Sequence, residues 1–210
     1  MRSQLIVLFL VPLYWVHAQK TTNFSQQVTF EYQKEGKKQE FSAFVEPKTG
    51  TWLLTRDDTF GGQPDDINYW VLKPNGQIII VGMSDTDKKQ QIVLQNHAFK
   101  FGTKTLNAKA TGKKQRFGQN IYGWKTYLAS EYQTINGRSQ TQFFATQLPF
   151  DCRALLAYNS CVDIENHLPN FGGMEYYKIL PPNYLILQDR GIKLVSISPT
   201  EYFVELGANK

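Results

Sequence analysis

Apolar and polar residues alternate at Val28-Thr29-Phe30-Glu31-Tyr32 and again at Phe41-Ser42-Ala43-Phe44-Val45, with the polar stretch Lys34-Glu35-Gly36-Lys37-Lys38 between them. Alternation with a period of two puts the apolar side chains on one face of an extended strand, so these stretches predict a hairpin. Pro47-Lys48-Thr49-Gly50 then predicts a tight turn into a third strand, Thr51-Trp52-Leu53-Leu54-Thr55. Proline presets φ in such a turn, and glycine accepts a positive φ. A loop from Asp57 to Asp66 leads to Ile67-Asn68-Tyr69-Trp70-Val71-Leu72, and Pro74-Asn75-Gly76 turns the chain into Gln77-Ile78-Ile79-Ile80-Val81. Asn-Gly between apolar runs is a strong hairpin signal.

Further along, Gln90 to Leu94 reads as a strand, and the basic, weakly patterned stretch from Lys100 to Gln119 reads as a long loop or mobile hairpin. Gly123 to Ala129 and Gln140 to Ala145 predict paired strands across a second Asn-Gly at Asn136-Gly137. Asp151 to Tyr158 is the one helical stretch, with Asp151 as N-cap before Ala154, Leu155, Leu156 and Ala157. Four closing strands follow at Tyr176 to Ile179, Tyr184 to Leu187, Ile192 to Ile197 and Tyr202 to Leu206, divided by Pro181-Pro182-Asn183, Asp189-Arg190-Gly191 and Pro199.

The chain is therefore mainly β, and three of its strands break the simple alternation. Trp52-Leu53-Leu54, Trp70-Val71-Leu72 and Ile78-Ile79-Ile80-Val81 are apolar on both faces, so both faces must be covered. One short helix is too small to cover a sheet of many strands. The expectation is a strongly curved antiparallel sheet, a half-open barrel whose concave side packs on the helix and loops or lines an apolar cavity. The alternative is a β-sandwich with a filled core. In the barrel, Trp52, Leu54, Trp70, Ile78 and Ile80 are the candidate ligand-binding residues; in the sandwich the same indoles are core, since they bury large areas.

The N-terminus sets the compartment. Met1-Arg2-Ser3-Gln4 precedes an apolar run from Leu5 to Val16 that contains Pro12 and ends near Gln19-Lys20. A membrane-spanning helix needs about 20 apolar residues, and this run is shorter. It has the shape of a signal peptide, with Val16-His17-Ala18 as the cleavage site, so residues 1–18 are expected to be removed and the protein to be periplasmic or secreted. The remaining 19–210, roughly 190 residues, suffice for one β-rich domain burying about 70% of the surface its unfolded chain exposes. A net charge of +5 is mild, which argues against nucleic acid as a partner. No stable membrane insertion is expected.

The two cysteines, Cys152 and Cys161, form an even pair in an exported chain and predict one disulfide. Zinc or redox chemistry is the weaker alternative, because the spacing is not C-x-x-C and His167 has no second ligand set beside it. Catalytic motifs are missing: there is no G-x-S-x-G elbow, and only His97 and His167 remain after cleavage. Asp57, Asp58, Asp65 and Asp66 share one Gly-containing loop, which is a solvated loop first, a weak calcium site second and a glycosidase pair last. No cofactor, catalytic residue or metal ligand is assigned, and an enzyme is not expected. Lys37-Lys38, Lys88-Lys89 and Lys113-Lys114 sit at turns or loops, where they discourage edge pairing or form a rim facing anionic headgroups. Asn23-Phe24-Ser25 is formally a glycosylation acceptor, which matters only in a eukaryotic secretory route.

Gly112-Lys113-Lys114, Gly123-Trp124-Lys125-Thr126-Tyr127, Phe144 to Phe150, Gly191 to Val195 and Tyr202 to Leu206 together resemble a family of exported Bacteroidota proteins of unknown function. That family is related to GLPGLI-type proteins and to the half-barrel fold of the LolA/LolB lipoprotein carriers. Trp124 stands where relatives often carry cysteine, so no disulfide belonging to that position is carried over. The resemblance implies a half-barrel fold and an exported protein. Combined with the two-faced strands, it leads to the expectation of a protein that binds or carries an apolar ligand such as a lipid acyl chain. The alternative is a protein-interaction or scaffold module that binds other envelope proteins.

Overall fold

The computed structural model describes residues 20–34, 36–55, 67–83, 91–98, 107–118, 126–136, 139–156, 180–189 and 191–206. Among the described residues eleven strands run in chain order: β1 Lys20–Lys34, β2 Lys37–Glu46, β3 Thr51–Thr55, β4 Ile67–Leu72, β5 Gln77–Met83, β6 Gln91–Ala98, β7 Asn107–Phe117, β8 Tyr127–Asn136, β9 Ser139–Gln147, β10 Tyr184–Asp189 and β11 Ile192–Leu206. Between β9 and β10 the described residues include a helix, α1 Arg153–Leu156. The strands form a single sheet in the order β6-β5-β4-β3-β2-β1-β11-β10-β9-β8-β7, with antiparallel neighbours throughout. Each strand thus lies beside its sequence neighbour, except that β1 and β11 meet in the middle and the consecutive strands β6 and β7 are the two edges. The sheet is one curved, unclosed layer, and the two-sheet sandwich alternative does not apply.

The two-faced strands explain the curvature. On one face, Trp52 and Leu54 of β3, Trp70 and Leu72 of β4, and Ile78 and Ile80 of β5 join a single buried cluster with Val28, Phe30 and Phe41. The same cluster takes in Leu194 of β11, Leu187 of β10, Phe144 of β9, Ala129 of β8 and Phe117 of β7. Side chains from strands near opposite edges can share a cluster only if the sheet curls around it, so this is the concave side.

On the other face, Leu53, Tyr69, Val71, Ile79 and Val81 form a second cluster with Phe44. Its cover comes from the middle of the sheet. β1 and β11 are the longest strands, and their pairing is irregular between Phe24 and Gln26, where Gln26 faces Pro199 and Phe24 faces Tyr202. Past that irregularity Phe24, Tyr202 and Val204 belong to the second cluster. Tyr202 packs on Phe44 with ring centroids 4.7 Å apart, and the Tyr69 hydroxyl of β4 donates to the Glu205 carbonyl at 3.4 Å, across three intervening strand positions. The β1–β11 ribbon therefore bends back over the outer face of β2–β5. Bulges bend strands in this way, and a bulge is where proline is tolerated inside a sheet. A third cluster, Phe143, Ala145, Leu180 and Ile186 with Tyr132 and Tyr184, lies on the outer face of β8–β10.

Two expectations are corrected. Residues 107–117, expected to lie in a loop or mobile hairpin, are edge strand β7, paired with β8 from Asn107↔Ile135 to Phe117↔Tyr127. Ile192 to Ile197 and Tyr202 to Leu206, expected as two strands parted by Pro199, are one strand with a bend at the proline. Of the helix expected from Asp151 to Tyr158, the described residues include α1, with Asp151 Oδ1 accepting from the Arg153 N–H at 2.9 Å as its cap, while residues 157 and 158 lie outside them. The hairpin at Asn75-Gly76 is present: Gly76 has φ of 92°, its N–H donates to Lys73 O at 3.0 Å, and Asn75 Oδ1 accepts from the Gln77 N–H at 3.0 Å.

Candidate functional site

Trp52, Leu54, Trp70, Ile78 and Ile80 do share one face, as their spacing in β3–β5 requires, and all five are buried. What meets them is the protein's own chain. The segment after β9 places Leu148, Phe150, Cys152, Ala154 and Leu155 in the same cluster. The Trp52 indole N–H donates to the Asp151 carbonyl at 3.2 Å, and its ring meets the Phe150 ring edge-on at 6.2 Å. Backbone bonds anchor that segment from below: Leu148 N–H to Asn183 O at 2.8 Å and Cys152 N–H to Pro182 O at 2.8 Å. From the strand side, the turn at Gly50, with φ of 66°, brings its Cα so near that a β-carbon there would lie 2.6 Å from Asp151 Cβ. Residues 148–155 thus fill the concave face at Trp52.

Cys152 belongs to this filling. Its thiol is buried, directs its Sγ to Phe150 O at 3.5 Å, and is free in the structure. Burial, with the neighbouring Asp151 carboxylate, pushes its pKa well up, so it is a poor nucleophile. Cys161 lies outside the described residues, as do residues 1–18, expected to form a signal peptide, residues 57–66, Lys88-Lys89, Trp124, His167 and residues 176–179. His97 lies on β6, of whose side chains nothing is described. Among the described residues no group of three metal-ligating side chains occurs, and no helix is long and apolar enough to cross a membrane.

Two polar features were not legible in the sequence. The first is on edge strand β7, where Ala110 pairs with Tyr132 and Lys114 with Ser130, so Thr111-Gly112-Lys113 bulge out opposite Glu131. The bulge lays Thr111 Oγ1 2.7 Å and Lys113 Nζ 3.3 Å from the Glu131 carboxylate, with the ammonium 5.4 Å from the Phe144 ring centre. The Thr111 hydroxyl, then Lys113, holds the Glu131 carboxyl below its ordinary range against the opposing pull of desolvation. Bulge and lysines together make β7 a poor template for another strand.

The second is a cleft at one end of the sheet. Pairing of β1 with β11 ends at Glu31↔Lys193, and β10 pairs with β11 only through Gln188↔Lys193 and Asp189↔Ile192. Beyond these points the β1–β2 and β10–β11 hairpins part, leaving a cleft of about 230 Å³. Tyr32 and Ile192, both members of the concave cluster, line it together with Glu31, Gln33, Lys38, Gln188, Gly191 and Lys193. The Lys38 ammonium bonds the Glu31 carboxylate at 3.0 Å, and the Tyr32 hydroxyl donates to Gln39 Oε1 at 2.7 Å. No signal at the sequence level could assemble it, since its walls come from hairpin ends about 160 residues apart, brought together by the β1–β11 pairing. Comparison with protein-family models, curated proteins and solved structures finds no match.

Proposed function

We propose that this protein is an exported, non-enzymatic interaction module, which works through its surface and keeps a filled core. One observation carries the reading: Phe150, Asp151 and Leu155 occupy the position over Trp52 that an acyl chain would take, with the indole hydrogen-bonded to Asp151. A lipid carrier needs an apolar cavity of a few hundred Å³ that buries most of its ligand. The cleft lined by Tyr32 and Lys193 is smaller and rimmed by charge.

The test is to substitute Trp52→Ala and Trp70→Ala and to follow both urea unfolding and fatty-acid binding. Buried Trp→Ala changes cost about 3–5 kcal/mol in a filled core. The expected result is strong destabilisation of both variants and no fatty-acid binding by the parent. Variants that keep their stability, with a parent that binds fatty acid, would overturn the reading.

A further inference from the structure

The cleft between the two parted hairpins contains a cation whose natural partner is engaged elsewhere. Lys193 faces Glu31 across the β1–β11 pair, yet the Glu31 carboxylate is taken by Lys38 at 3.0 Å, and Lys193 forms no ion pair among the described residues. Its ammonium is exposed at the wall of the cleft. Beside it lie two members of the concave cluster: Ile192 is buried, and Tyr32, also buried, has its hydroxyl committed to Gln39. Gln33 and Gln188 complete the lining with polar residues.

We propose that this cleft binds a small monocarboxylate, with the carboxylate on Lys193 and a short apolar body against Tyr32 and Ile192. The two lysines and one glutamate leave a single net positive charge, which one carboxylate neutralises and a dianion would exceed. A volume of about 230 Å³ lies below the range of drug-sized pockets and suits a ligand smaller than a drug. A few polar groups beside apolar ones is the usual composition of a small-molecule site. The proposal names a ligand for the surface-binding reading, and its test is separate from that one, since lipid uptake would sink the surface reading without altering the titration below.

The experiment titrates ¹⁵N-labelled protein with butyrate and, in parallel, with butyramide, its neutral isostere, following backbone amide shifts. Butyrate is expected to move Gln188, Gly191, Ile192 and Tyr32 and to bind roughly fivefold tighter than butyramide, as a charge-assisted bond at a partly exposed site gives. Lys193→Gln should weaken butyrate roughly fivefold with an otherwise superimposable spectrum. Lys38→Gln should weaken it too, because Glu31 is then released to pair with Lys193. Lys114→Gln, on β7, should change nothing. Equal shifts with butyramide, or butyrate shifts spread over the surface lysines and undiminished by Lys193→Gln, would overturn the proposal. The comparison of the two ligands on the unmodified protein decides it even if a variant fails to fold.

Discussion

Gly50→Ala probes the contact on which the filled concave face depends. The residue sits at φ of 66°, a left-handed conformation that costs a residue with a β-carbon about 1–2 kcal/mol. The new β-carbon would lie 2.6 Å from Asp151 Cβ, 3.1 Å from Asp151 O and 3.3 Å from Pro74 Cγ. Relieving such overpacking costs about 1–3 kcal/mol. Lower entropy of the unfolded alanine chain offsets about 0.4–1 kcal/mol. The sum is a destabilisation of about 3 kcal/mol, a large share of the 5–15 kcal/mol that holds a typical domain together. Gly36→Ala is the matched control, because Gly36 has φ of 75° and nothing within 4 Å of its built β-carbon. It bears the backbone cost alone, about 1 kcal/mol or less after the entropic offset. Urea unfolding followed by tryptophan fluorescence measures both variants. If Gly50→Ala costs no more than Gly36→Ala, Asp151 does not pack on the Gly50 turn, and the account of how residues 148–155 seat against β3 is refuted.

Three further outcomes are expected. Thr111→Val should raise the Glu131 pKa towards its ordinary value of 4.5, since the Thr111 hydroxyl is the leading cause of its depression; carboxyl ¹³C titration reads this, and no change would remove the bulge contact. A depressed pKa gives stability that is present above the unfolded value and lost as pH falls through the folded one, so the variant should be less acid-sensitive. If the protein is exported as proposed, non-reduced peptide mapping should recover a Cys152–Cys161 cross-link, whereas two alkylatable thiols would leave Cys152 as the free buried thiol of the structure. N-terminal sequencing of the same material should begin at Gln19, and an intact Met1 would contradict the signal-peptide reading.

How far the sequence could be read depended on which residues carry a face. β3, β4 and β5 were legible because runs such as Trp52-Leu53-Leu54 and Ile78 to Val81 announce strands buried on both sides, and Asn75-Gly76 fixes the turn between two of them. β7 was not, because an exposed edge strand such as Lys109-Ala110-Thr111-Gly112-Lys113-Lys114 needs no apolar alternation and its bulge breaks what period there is. Pro199 looked like a strand end because proline cannot donate to a ladder; in the structure it stands at the irregularity where β11 bends. Periodicity grouped Trp52, Leu54, Trp70, Ile78 and Ile80 on one face but carries no information on what covers a face. The cover proved to be residues 148–155 on the concave side and the bent ends of β1 and β11 on the other.

Native mass spectrometry of the protein purified from the cells that make it tests most directly whether the concave face is closed by the chain itself. The account predicts a single species at the mass of the polypeptide, unchanged when fatty acid is added, because Phe150 and Leu155 already occupy the space beside Trp52. A stoichiometric lipid adduct, retained until the protein unfolds, would contradict it and return the concave face to the role of a ligand site.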